Sequence, residues 1–170
     1  MPMDVAAIYT ETLGRVSEQM PGVVHGLGED DLAWRPEPGA NSIAWLVWHL
    51  TRVADEYSAA YAERPARWTD GGWYERFGLP FGPEAHGYGM TPEEVAQVRA
   101  SAEDLAGYYA DVEPVLAEFL GSLDQAALER VVDDAYDPPV TLGVRMVSIV
   151  DDMVQHMAQA AYLRGILDRR

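Results

Sequence analysis

Residues 43–62 read IAWLVWHLTRVADEYSAAYA, and Ile43, Leu46, Val47, Leu50, Val53, Ala54 and Tyr57 recur at the three- and four-residue spacing of one helical face. Asn41 or Ser42, just ahead, offers a side-chain oxygen to the first free amides of such a helix. A helix of this length with one apolar face must bury that face against others. The rest of the chain supplies them.

Upstream, Asp4 can cap a first helix whose apolar positions are Val5, Ile8, Tyr9, Leu13, Val16 and Met20. Pro21 should bend its last turn, and Gly26 and Gly28 end it. Downstream, TPEE at 91–94 has the reciprocal Thr91/Glu94 pattern of a helix start, with Pro92 at the first helical position. It predicts a long acidic helix toward Leu120 through Val95, Val98, Leu105, Tyr108, Tyr109, Val112, Leu116 and Phe119, with Pro114 kinking or splitting it. After the turn-rich link DDAYDPPVTLG (133–143), a last helix runs from about Thr141 to Leu167. Strand-like alternation and internal repeats are absent, so the expected fold is all-α: a four-helix bundle forming one domain over residues 1–170. Between its second and third helices lies a long irregular loop, 64–90, carrying Trp68, Trp73, Tyr74, Phe77, Phe81 and Tyr88. Loops of that length usually serve as functional lids or are disordered, and so many aromatics disfavour disorder.

The 170 residues are 48% hydrophobic, enough for a sizeable core, and carry 28 acidic against 12 basic side chains, a formal charge of −16. That balance argues against nucleic acid or an anionic membrane surface as partner, since both are bound through basic patches. There is no cysteine, so thiol chemistry would require a thiol from outside the chain. The opening MPMDVAAIYTETLGRV lacks the order of a signal peptide, and no apolar run reaches the length of a membrane span; a cytoplasmic location is expected.

The polar residues on inward faces are the candidates for chemistry. His25 and His86, near a helix end and in a glycine-rich loop, read as structural or solvated. His49 lies mid-helix, three residues after Leu46 and four before Val53, so its ring should border the core. On the last helix Ile149, Asp152, His156, Gln159 and Leu163 share a face beside an apolar stripe of Met146, Val150, Met153, Met157 and Ala160. An acid and an imidazole buried one turn apart need a counter-charge or hydrogen bonds. Two readings follow: a two-histidine, one-carboxylate metal site completed by His49, or a buried Asp–His hydrogen bond that orients the helices.

Three segments, WRPEPGANSIAWLVWHL (34–50), DPPVTLGVRMVSIV (137–150) and DDMVQHMAQAAYLRGIL (151–167), resemble the DinB/YfiT-like metalloenzyme superfamily over nearly the whole chain. The resemblance extends to its actinobacterial branch related to the N-terminal domain of mycothiol-dependent maleylpyruvate isomerase. It implies an up-down-down-up bundle with a divalent metal at one end, held by His49, by His156 as second histidine of the family's HxxxH motif, and by Asp152 in place of the first. An acidic residue there is similar to the thiol-using branch. The resemblance further implies zinc, with nickel or iron as alternatives, a low-molecular-weight thiol as cosubstrate, an electrophilic small-molecule substrate, S-transfer or isomerisation, and a homodimer. Gln159 and Arg164 are candidates to contact ligand or substrate, and Trp68, Trp73, Phe77 and Tyr88 either wall a pocket above the metal or pack on the bundle end. Two rivals are metal-assisted hydrolysis with Glu56 as base, and a non-catalytic metal- or ligand-binding stress protein.

Overall fold

The computed structural model describes residues 4–170. Helix α1 (Val5–Val24) starts on Asp4, whose carboxylate accepts the Ala7 amide at 2.9 Å, and continues through Pro21. A single turn, α2 (Glu29–Leu32), leads to α3 (Ile43–Tyr61). Its cap is Ser42, whose hydroxyl accepts the Trp45 amide at 3.1 Å. Two short helices, α4 (Arg67–Asp70) and α5 (Trp73–Phe77), and a further turn, α6 (Pro92–Val95), interrupt the connection to α7 (Ala102–Gly121). Then come α8 (Gln125–Glu129), strands β1 (Val131–Asp133) and β2 (Val140–Thr141), and α9 (Leu142–Leu167).

The four long helices form a ring in which α1 and α3 each pack against both α7 and α9. Contacts along the axes give their directions. Tyr9 donates to the carbonyl of Gly143, while Arg164 reaches the carbonyls of Val23 and His25, so α1 and α9 run parallel. Arg145 lies over the Tyr57 ring while Trp45 meets the His156 ring, so α3 and α9 are antiparallel. Tyr108 bonds Asp55, and Arg64 just beyond α3 reaches Val115, which makes α3 parallel to α7. The order is up-down-down-up. Leu13, Val16 and Met20 of α1, Leu46 and Leu50 of α3, Leu105, Val112 and Leu116 of α7, and Met146, Met153 and Met157 of α9 meet in one core.

A parallel neighbour cannot be reached by a short turn. A helix of about 20 residues is roughly 30 Å long, and the chain must travel back along it before α7 begins. Segment 62–101 is that return. Asp55, 1% exposed, pins its start: its two carboxylate oxygens accept the amides of Arg67 and Trp68 at 2.8 and 2.7 Å, and the second also accepts the Tyr108 hydroxyl at 2.7 Å. Arg52, 2% exposed, pins its middle by donating to the carbonyls of Pro83 and Ala85 while lying over the Trp68 ring.

The structure corrects or narrows the sequence reading in four places. Thr91 and Glu94 do form the reciprocal cap, but it opens only the single turn α6. The long helix restarts on Ser101, whose hydroxyl accepts the Asp104 amide at 3.0 Å. Val95 and Val98 are in phase with Leu105 and Val112, which made two helices look like one. Pro114 does not split α7, which runs unbroken across it. Strands β1 and β2 pair antiparallel across the link expected to hold only turns; three and two residues are too short to show alternation. The loop 64–90 is not wholly irregular, since α4 and α5 lie in it.

Candidate metal centre

Asp152 and His156 sit one turn apart on α9, and His49 comes from the antiparallel α3 at the same height. His49 Nε2 lies 3.6 Å and His156 Nε2 3.4 Å from Asp152 Oδ1. One candidate ligand atom from each of the three residues falls within 4.8 Å of the others. Trp45, one turn before His49, stacks on its ring with centroids 4.5 Å apart and meets His156 edge-on at 5.7 Å.

The outward nitrogens are committed. His49 Nδ1 faces the main-chain carbonyl of His86, and His156 Nδ1 faces Gln159 Oε1 at 2.9 Å. A carbonyl oxygen only accepts, so each Nδ1 must donate, and a neutral ring then turns its Nε2 lone pair inward. Asp152 Oδ2 is enclosed and has no hydrogen-bond partner. Three acceptors therefore converge with no donor among them, an arrangement that requires a cation: a proton on an imidazole, or a metal.

Without a metal the electrostatics take the proton. Burial by itself would lift the Asp152 carboxyl, but hydrogen bonds and charge from His156 and His49 outweigh it and hold the group well below the usual carboxylate range. On His156 burial opposes protonation, and the bonds to Asp152 and Gln159 outweigh it, raising the imidazole above its ordinary value. A divalent ion fits the same donors. Two imidazoles and one carboxylate, each imidazole fixed by an acceptor behind it, are the donor types of open zinc and iron sites.

A cleft of about 440 Å³ opens beside the three, lined by His49 and Asp152 together with Val53, Tyr57, His86, Tyr88, Tyr136, Arg145, Ser148 and Ile149. Of the residues expected to contact ligand, Tyr88 is here. Gln159 instead buttresses His156 from behind. Arg164 is spent on the carbonyls of Val23 and His25 and on Asp168. Trp73 donates its indole N–H to Asp111 at 2.9 Å and packs on Tyr108 and Phe77, and Trp68 is buried against the same tyrosine. Those three aromatics hold the return segment onto α7 and do not wall the cleft. Glu56 pairs with Arg52 at 3.2 Å and does not line it either.

Sequence reasoning missed Arg145, Ser148, Tyr136 and the carbonyl of His86. The first two carried a signal, since 145, 148, 149 and 152 lie on one face of α9. The His86 carbonyl carried none in composition or period. Its approach depends on Gly87, which has φ +101° and comes so close that a Cβ there would stand 2.6 Å from His49 Nδ1.

Among the described residues no helix is long and apolar enough to cross a membrane. A family model described as the DinB superfamily matches residues 12–160. A crystal structure described as the conserved protein of locus from Enterococcus faecalis is 31% identical, with a TM-score of 0.91 and 99% of each chain covered. No curated protein matches the sequence.

Proposed function

The chain belongs to the DinB superfamily, whose members typically bind metals, and from that premise we propose that it is a metal-dependent enzyme of thiol chemistry, an S-transferase or isomerase acting on an electrophilic small molecule. The observation that carries the reading is the convergence of His49 Nε2, His156 Nε2 and an Asp152 carboxylate with no donor among them. When bound there, a divalent ion, zinc in this reading with nickel or iron as alternatives, supplies the Lewis acidity that keeps a thiol ionised at neutral pH.

The chain's own residues prepare that chemistry. His86 and Gln159 hold the two imidazoles in the tautomer that offers Nε2. Asp152 removes one unit of positive charge, which moderates how strongly an incoming thiol is acidified. Trp45 stacks on His49 and restricts that ring's freedom. Tyr57, Val53 and Ile149 give the cleft apolar wall for the body of a small substrate. The nucleophile must come from solution, since the chain has no cysteine. Hydrolysis is less well supported, because Asp152 is the only carboxylate lining the cleft among the described residues and Glu56 is engaged elsewhere.

Elemental analysis of the purified protein should find one divalent ion per chain, lost in His49→Ala and His156→Ala. Undiminished metal in both variants overturns the site. In the cobalt-loaded protein, 2-mercaptoethanol should produce cobalt–thiolate absorption; metal without that response leaves a metal-binding protein and removes the thiol chemistry. Asp152→Ala should weaken metal binding by removing a ligand. Asp152→His should keep the metal and move thiol uptake to lower pH, as the site gains a positive charge.

A further inference from the structure

A groove of about 660 Å³ lies between α1 and α7, on the side of the ring away from the α3–α9 cleft. Ala102, Ala106 and Ala110 of α7 leave the space, and Met20 and Val24 of α1 give it an apolar wall. Where the groove is polar, it offers acceptors. Ser17 gives its hydroxyl hydrogen to the Leu13 carbonyl at 3.2 Å, so the Tyr109 hydroxyl donates to Ser17 at 2.9 Å and keeps its own lone pairs. Burial, opposed by the Ser17 bond and helped by the Glu113 charge, pushes the Tyr109 phenol up to about 12, so it stays protonated. Glu113, one turn beyond Tyr109, is half-buried and forms no ion pair or side-chain hydrogen bond among the described residues.

Two prolines add main-chain acceptors. A proline inside a helix has no N–H, so the carbonyl four residues before it loses its helical donor. Pro21 frees the carbonyl of Ser17 and Pro114 that of Ala110, and both of those residues line this groove. Helices α1 and α7 run antiparallel, and the Ser17–Tyr109 bond fixes their register, so Met20 and Val24 lie level with Ala106 and Ala102. One end of the groove thus gathers two carbonyls, a phenol oxygen and a carboxylate, and the remainder is mainly apolar. Neither arginine nor lysine lines it among the described residues, and Glu103 at the far end is taken by Arg76 at 2.9 Å.

Acceptors without donors call for a ligand rich in N–H, and an unpaired carboxylate calls for a positive one. We propose that this groove binds an organic ammonium ion with an apolar body, the ammonium at Ser17, Ala110 and Glu113 and the body along Met20, Ala106 and Ala102. From Glu113 to Ala102 the helix rises about 16 Å, room for an alkyl chain ending in a phenyl ring. The site stands apart from the metal centre and does not rest on the thiol reading.

The test titrates 6-phenylhexylamine and its neutral match, 6-phenylhexan-1-ol, into full-length protein with isotope-labelled methionine methyls, in physiological salt so that general attraction to the acidic surface is screened. The Met20 methyl resonance, identified by its absence in Met20→Leu, reports occupancy. The amine should bind at least tenfold tighter than the alcohol. Glu113→Gln should remove most of that preference. Pro21→Ala should reduce it, because the restored N–H takes the Ser17 carbonyl, whereas a mere loss of wall weakens both ligands alike. Ala106→Leu should fill the groove and stop either ligand from moving the resonance, with circular dichroism showing an intact bundle. Equal binding of amine and alcohol assigns the groove to a neutral ligand and overturns the ammonium site. Amine affinity unchanged in Ala106→Leu puts the amine elsewhere on the surface and overturns the groove, as does a resonance that neither ligand moves.

Discussion

His49 donates its Nδ1–H to the main-chain carbonyl of His86, so the imidazole on α3 takes its orientation from the return segment as well as from Trp45 on its own helix. Arg52, one turn further along α3, holds the carbonyls of Pro83 and Ala85 and so keeps His86 in place. The helix and the segment that crosses it determine the ring together.

Gly87→Ala tests this dependence without touching a candidate ligand. The added Cβ would meet His49 Nδ1 at 2.6 Å, and the backbone there has φ +101°. The turn must move off the imidazole, and loss of such an outer hydrogen bond typically lowers metal affinity roughly 10- to 100-fold. Competition with a chromophoric chelator should show that loss while circular dichroism shows an intact bundle. Unchanged affinity would mean that His49 is held by Trp45 alone.

The stability gained from metal should grow with pH. In metal-free protein the lowered Asp152 group stabilises the fold above its unfolded value near 3.8 and loses that effect as pH falls. The raised His156 group stabilises below its unfolded value of 6.5 and loses its effect as pH rises through the folded value. The pair thus supports the metal-free fold best between those two values, whereas metal requires neutral imidazoles. Calorimetry at pH 5.5 and pH 8, with zinc and with chelator, should give the wider gap in Tm at pH 8. A gap that narrows would contradict the assignment.

Asp55→Ala should cost roughly 3 kcal/mol or more, because it leaves the Arg67 and Trp68 amides and the Tyr108 hydroxyl without their acceptor in a buried place. Urea denaturation measures it. A loss below about 1 kcal/mol would show that the aromatic packing of Trp68 and Trp73 anchors the segment unaided.

We propose that the chain is a homodimer joined along α9. Val144, Val147, Val154 and Tyr162 form an exposed stripe on that helix, and Val5 and Ile8 are exposed on the start of α1, which runs parallel to it. Two copies laid stripe to stripe would cover this surface. Sedimentation should give twice the 18.8 kDa chain mass, falling to one chain in Val147→Glu. A monomer at micromolar concentration in the unaltered protein refutes it.

The long helices were legible because a stripe such as Leu46–Leu50–Val53 needs only local spacing to be read, and so was the meeting of His49 with the Asp152/His156 face once a bundle was assumed. The break at Ser101 was not, since residues on both sides of it keep one phase. The roles of Trp68 and Trp73 were decided by Asp55 and Asp111 on other helices, which no local pattern displays. Arg145 was visible as a position on the cleft face of α9, but its pairing with Asp133 was not, since that residue is brought in by a hairpin too short to read.

The parallel course of α3 and α7 also bears on how the chain folds. Asp152 and His156 need only one turn of α9 to stand together, whereas His49 arrives from roughly a hundred residues away and only after the return segment has been laid down. The three-ligand set cannot exist in the denatured ensemble, so an ion cannot nucleate the bundle as it does a zinc finger. It would bind late, as a seal on a fold already closed, and the rate at which it is captured during refolding would report when the last long-range contact has formed.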